Sequence, residues 1–282
     1  MALIILGGTT SAESAPFSVE LIPDEVLFPP PMADPTTPIS SLKYFHTSSD
    51  ENYVTKVTAG STFGLIRAAV GPALIQINGQ GGIMGRLNLN HTVIAETTDF
   101  RIGIPIVIAW PSPDLGWIFE INPYHTSSHL NDDRIFENTK TSDSIYSSDE
   151  LNLPINYTRD IIQWVTAYRF TEMNRIYASF SIVSKGKGLG SPSIFQAGSE
   201  LFAPASDFYG YNIRPYLAEN IRTKEETDWT VDLNLQAGIA LNRPGQRHRM
   251  RLAVEYMIGS SAEGQLYKQK ERNIGMSLSF DM

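Results

Sequence analysis

Apolar and polar residues alternate with a period of two along most of this chain, from Val54 to its last residue. In Ile75 to Asn90, Ile75, Ile77, Ile83, Leu87 and Leu89 share one parity, while Gln76, Asn78, Gln80, Arg86, Asn88 and Asn90 share the other. Successive side chains of a strand point to opposite faces, so this run predicts one strand with an apolar and a polar face. Its 16 residues far exceed the about 5–6 usual in soluble sheets. About 9–11 tilted residues suffice to cross a bilayer.

Similar runs follow. Phe100 to Trp110 collects Ile102, Ile104, Ile106 and Ile108 on one face. Ile155 to Phe170 sets Ile162, Trp164, Tyr168 and Phe170 against Arg159, Gln163 and Arg169. Val54 to Val70, Trp117 to His129, Asn174 to Lys185, Ser193 to Ala203, Tyr211 to Lys224, Trp229 to Asn242, Arg247 to Ile258 and the C-terminal run around Ile274 to Met282 complete eleven strands. A fainter one at Ile39 to Thr47 makes twelve, the even number expected of a bacterial single-chain barrel. No amphipathic helix of convincing length and no apolar run long enough for a membrane helix stands between them.

The connections alternate between short and long, as in outer-membrane barrels, with Glu225 to Asp228 the short exception on the outer side. The predicted fold is therefore all-β: an antiparallel up-and-down transmembrane β-barrel of twelve strands, both ends of the chain on the periplasmic side. A soluble closed barrel or sandwich shares the alternation but calls for shorter strands. Residues 1–15 read as a signal-peptide remnant around Leu3 to Leu6. Residues 16–38 read as an extended arm outside the main sheet, since Leu21 to Ser40 alone hold six prolines, Pro23, Pro29, Pro30, Pro31, Pro35 and Pro38. Residues 39–282 form the barrel domain.

Composition narrows the function classes. A net charge of −8 gives no basic footprint, which argues against nucleic acid. The chain has no cysteine, which excludes disulfides and thiol catalysis. Arg86, Arg159, Arg169, Arg214, Arg222, Arg249 and Arg251 share the inward parity with Glu120, Asp232 and Glu255. Such groups fill a barrel as a charge network or line a narrow solute channel. Trp110, Trp117 and Trp229 fit interfacial girdles.

The candidate chemistry lies in YHTSSHLNDD, Tyr124 to Asp133, at the end of the Trp117 strand. His125, Ser127 and His129 continue the apolar, outward parity, which brings them to the outer rim facing lipid. Residues i and i+2 are about 6.6 Å apart along a strand, so Ser127 has a base within side-chain reach in His125 or His129. An orienting group must come from the next strand, where Asn156 and Asp160 share the outward face. The competing reading is a polar rim that marks where the strand leaves the hydrocarbon. A metal site of His125, His129, Asp132 and Asp133 requires the strand to bend, and calcium at Asp132 and Asp133 has no full ligand set. No other cofactor is expected.

LFPPPMADP (Leu27 to Pro35), IMGRLNLN (Ile83 to Asn90), YHTSSHLNDD, FQAGSE (Phe195 to Glu200), RPYLAENIRTKEETDW (Arg214 to Trp229) and LAVEYMIGSSAEGQLY (Leu252 to Tyr267) together resemble a bacterial family of unknown function, DUF1207. The resemblance runs from Leu21 onward and implies an exported envelope protein of the Gram-negative outer membrane, with membrane lipid as its surroundings. His125-Thr126-Ser127 is also similar to the His-x-Ser of outer-membrane phospholipase A and lipid A deacylase barrels, which follow the Ser with Asn where this chain has Ser128. That likeness implies lipid acyl-ester hydrolysis on the outer barrel surface.

Overall fold

The computed structural model describes residues 17–48, 53–89, 94–132, 155–186, 192–244 and 248–281. The expected signal-peptide remnant and most of the long connection after Asn131 lie outside the described residues.

The wall opens with β1 (Ser18–Leu21), β2 (Ser40–Thr47), β3 (Tyr53–Val70) and β4 (Ala73–Asn88). β5 (Ile94–Gly103) and β6 (Ile106–Pro111) are halves of one wall strand, both paired to β4 and to the strand that follows. The sequence predicted one unbroken strand from Phe100. The break falls at Pro105, which has no N–H to give to a ladder. Then come β7 (Gly116–Leu130), β8 (Tyr157–Arg169), β9 (Arg175–Gly186), β10 (Ser193–Phe202), β11 (Ser206–Phe208), β12 (Tyr211–Lys224), β13 (Val231–Asn242), β14 (Arg249–Ser260) and β15 (Lys270–Asp281). Wall strands pair antiparallel in chain order and β15 returns to β2, which closes a 12-strand barrel. Trp229 falls before β13, in a left-handed turn with Asp228. β1, beside the turn at Gly71, and the end of β15, beside Arg249 and Ser40, belong to the same, lower end of the wall.

The wall is apolar outside and polar inside. Ile102, Leu217 and Met276 are exposed, whereas Arg86, Arg159, Arg251, Gln76 and Asn122 are buried in the lumen. Arg86 pairs with Glu96 at 2.6 Å and Glu271 at 2.8 Å. Arg175 pairs with Glu200, Arg251 with Asp281, and Lys43 with Glu255. In these pairs each buried charge meets an opposite one, which offsets the cost of taking it out of water.

The Pro-rich segment departs from the expected arm. Ser18–Leu21 joins the sheet as β1, because β2 covers only Tyr53 to Thr58 of the longer β3 and leaves its lower edge unpaired. Residues 23–38 then turn into the lumen. Proline lacks the N–H that a buried, ladder-free chain would have to satisfy. The remaining carbonyls are met by the wall: Arg169 donates to Leu27 O at 2.7 Å, Arg175 to Pro29 O at 2.8 Å, and Gln236 to Met32 O at 2.9 Å. Leu27 and Phe28 pack against Val107, Ile118 and Val165. Met32 and Ala33 pack against Tyr216, Ala218 and Ala253. The cavity beside this plug, lined by Asp34, Arg101 and Glu120 among others, holds about 20 Å³, room for roughly one water.

Candidate functional site

The register of β7 on β8 sets His125 opposite Asp160 and Ser127 opposite Thr158. On the other flank, β5 sets Ile102 opposite His125 and Phe100 opposite Ser127. His125, Ser127 and Asp160 all point outward at the upper end of the wall. The His125 Nδ1 lies 2.7 Å from Asp160 Oδ1, with the two side chains 43% and 49% exposed. A carboxylate there makes Nδ1 the protonated nitrogen and leaves Nε2 with a free lone pair. Ser127 stands two residues further on the same face, about 6.6 Å along the strand. Among the described residues no hydrogen bond joins its hydroxyl to either histidine. Such bonds commonly tighten only when substrate is bound.

Of the two residues from which the orienting group was expected, Asp160 reaches His125 and Asn156 does not. Asn156 accepts a hydrogen bond from the Thr158 hydroxyl at 3.3 Å instead. A register shift between Asp160 and Ile161 against β9 sits beside the pair. Bulges of this kind re-aim a side chain. His129 packs edge-on against Phe100, with ring centroids 5.8 Å apart. Below the His125 pair the wall offers exposed Ile102, Ile104, Phe119, Ile121 and Trp164, an apolar surface on which acyl chains can lie. The described residues hold no group of three or more metal-ligating side chains, and Asp133 lies outside them.

The inner side of this rim carries a clamp that the sequence reading missed. Ser128 points inward and donates to Asp99, whose other oxygen accepts from Gly264 N at 2.9 Å. Gln265 donates from its backbone to Ser128 Oγ at 3.0 Å, and its side-chain amide donates to Ser128 O at 2.6 Å and Ile155 O at 2.8 Å. The Gln265 carbonyl accepts from Ile155 N at 3.0 Å, so one amide ties the tops of β7 and β8 together. Gly264 is needed where it is: a Cβ there would meet Ser128 Cβ at 2.6 Å. Neighbouring Glu263 bonds Lys56 Nζ at 2.7 Å and stands 3.5 Å from Arg86. Burial works to raise the Glu263 carboxyl, but Lys56 and Arg86 outweigh it and hold the group well below the usual carboxylate range. The partners are 137 and 165 residues apart, so no local pattern announces the clamp.

No curated protein matches this sequence. Among solved structures, the chain is similar to outer membrane phospholipase A from Escherichia coli, with 12% identity, a TM-score of 0.51, and coverage of 86% of this chain and 90% of that one. A further match is the beta domain of the Bordetella autotransporter BrkA, with 11% identity, a TM-score of 0.46, and coverage of 86% and 97%. At such identity the phospholipase likeness is one of fold: this chain has the barrel of an outer-membrane protein. The family model described as "Protein of unknown function (DUF1207)" matches residues 4–282, and the chain belongs to that family.

Proposed function

We propose that this chain is an outer-membrane hydrolase of lipid acyl esters, with Ser127 as nucleophile, His125 as general base and Asp160 as the group that orients it. The observation that carries the reading is the His125–Asp160 pair at 2.7 Å on the outer face of the wall, with Ser127 on the same face of β7. In the first step Ser127 Oγ attacks the ester carbonyl while His125 Nε2 takes its proton. The imidazolium, stabilised by Asp160, then protonates the departing alcohol and leaves an acyl-serine. Water, activated by the same nitrogen, releases the fatty acid and restores the serine.

The substrate follows from the location. An ester whose acyl chains lie along Ile102, Ile121 and Trp164 would present its carbonyl at the height of Ser127, and that describes a membrane lipid. A solute channel draws less support, because residues 23–38 pack into the lumen. The test is fatty-acid release from phospholipid in mixed micelles with calcium, by the purified parent and by Ser127→Ala. Release by the parent and its loss in the variant are expected. A parent that releases nothing from phospholipid or lipid A, or a variant as active as the parent, removes the hydrolase reading.

A further inference from the structure

The arginine and lysine side chains described on the wall strands turn into the lumen, with two exceptions, Lys270 and Arg272. Both are exposed at the start of β15, which is its upper end. They stand two residues apart on the outer face, about 6.6 Å along the strand. Neither side chain has an ion pair or a hydrogen bond among the described residues. Glu271, between them, turns inward to Arg86. Near the upper ends of β8, β9 and β13 the outward residues are Thr158, Ser184 and Val231, which carry no charge. The outward carboxylate of the rim, Asp160, lies on β8, six wall strands away by either route. Positive charge is thus gathered on one side of the rim, across the barrel from the His125 site.

The wall below this pair changes character in two steps. Tyr44 on β2 stacks on Tyr53 of β3 with ring centroids 5.8 Å apart, and His46 meets Tyr53 edge-on at 5.3 Å. Amphipathic rings of this kind sit at headgroup level. Ile274 and Met276 follow Arg272 on the outer face of β15, with Leu42 beside them on β2, all three exposed. A ligand that meets this whole surface is anionic at its top and apolar along its length. Arg272 offers a planar fork that takes two phosphate oxygens, and Lys270 a mobile point charge within reach of the same group. A zwitterionic headgroup brings its own cation, so two unpaired cations favour a lipid of net negative charge. We propose that Lys270 and Arg272 bind the phosphate of an anionic lipid in the upper leaflet, whose acyl chains lie along Ile274 and Met276.

The proposal rests on the apolar outer wall and not on the hydrolase chemistry. Ether-linked lipids, which have no ester to cleave, keep the two apart. Flotation with ether-linked phosphatidylcholine vesicles comes first, and a chain that does not float removes the bilayer placement and the headgroup site together. The cysteine-free sequence then allows one fluorophore at Leu42→Cys, beside the site, or at Leu217→Cys on β12 as a control. Quenching by spin-labelled phosphatidylglycerol or phosphatidylcholine, both ether-linked, reports which lipid each position holds. At Leu42→Cys the anionic lipid should be preferred about fivefold or more. Lys270→Gln with Arg272→Gln should bring that preference close to one, Lys270→Arg should keep it, and Leu217→Cys should show none. No preference at Leu42→Cys, an equal preference at Leu217→Cys, or a double variant that selects as the parent does would overturn the proposal. Loss of the preference in inorganic phosphate, but not in sodium chloride of equal ionic strength, would overturn it in favour of a soluble anion.

Discussion

Replacing Asp160 by Asn separates a catalytic dyad from a polar rim, because the two readings assign the His125 pair opposite consequences. As a hydrogen-bonded pair it is half-exposed on both sides, at 43% and 49%, so water competes for it. Exposed pairs of this sort contribute about 0–1 kcal/mol to folding. Asp160→Asn should therefore fold, float and unfold as the parent does. Catalytically the substitution is harsh. Asn offers its amide N–H as readily as its carbonyl to Nδ1, which lets the imidazole take the wrong tautomer and present an N–H to Ser127. In the trypsin triad the same change lowers kcat about 10⁴-fold, but there the carboxylate is buried. Here water can partly replace it, so a loss of roughly 10²–10³ in kcat, about 2.7–4.1 kcal/mol of barrel-surface transition-state stabilisation, is expected. KM should change little, since Asp160 does not touch the acyl chains. The assay is fatty-acid release from mixed micelles over a range of lipid mole fractions, alongside urea unfolding in the same detergent. An Asp160→Asn protein within about threefold of the parent kcat would refute the orienting role. A loss of activity matched by a loss of stability would refute the claim that the pair acts on chemistry alone.

Two further perturbations address the interior. Phe28 is buried with Leu27 against Val107 and Ile118, so Phe28→Ala should cost about 3–5 kcal/mol in urea unfolding; a change below about 1 kcal/mol would mean the plug is not part of the folded core. Glu263 is held ionised by Lys56 and Arg86, so its folded value lies below its unfolded one and it contributes stability above the unfolded value that is lost as pH falls through the folded one. Glu263→Gln should accordingly destabilise by up to about 3 kcal/mol at pH 7, and the gap from the parent should shrink below about pH 4, read as urea midpoints across pH; a gap that widens on acidification would refute the assignment.

The wall was legible because a barrel strand writes its two faces directly into the sequence. Ile102, Ile104, Ile106 and Ile108 give away the outer face, and Gln76, Asn78 and Gln80 the inner one. The site was legible up to register. Parity put Asn156 and Asp160 on the same side as His125, but a slide of the β8 pairing by four residues exchanges one for the other. The clamp at Ser128 was not legible, since Asp99, Ser128, Gly264 and Gln265 come from three separate segments.

The plug was hidden for a different reason, and the wall nevertheless holds its trace. Proline density announces what residues 23–38 cannot be, namely helix or central strand, and says nothing about where they go. The inward positions of the lower wall are more informative. Ala109, Ala167, Ala218, Ala240 and Ala253 are all inward and all nearly fully buried. A methyl group cannot reach the axis of a barrel this wide, whose interior needs larger side chains to fill it. Inward alanines on neighbouring strands at one level leave a hollow that the wall cannot close, and close packing requires something else to occupy it. A short apolar segment with few N–H groups is what such a hollow accepts, and LFPPPMA, Leu27 to Ala33, is the segment of this chain that lies there, with Leu27 N donating to Gln76 and Met32 N to Glu200.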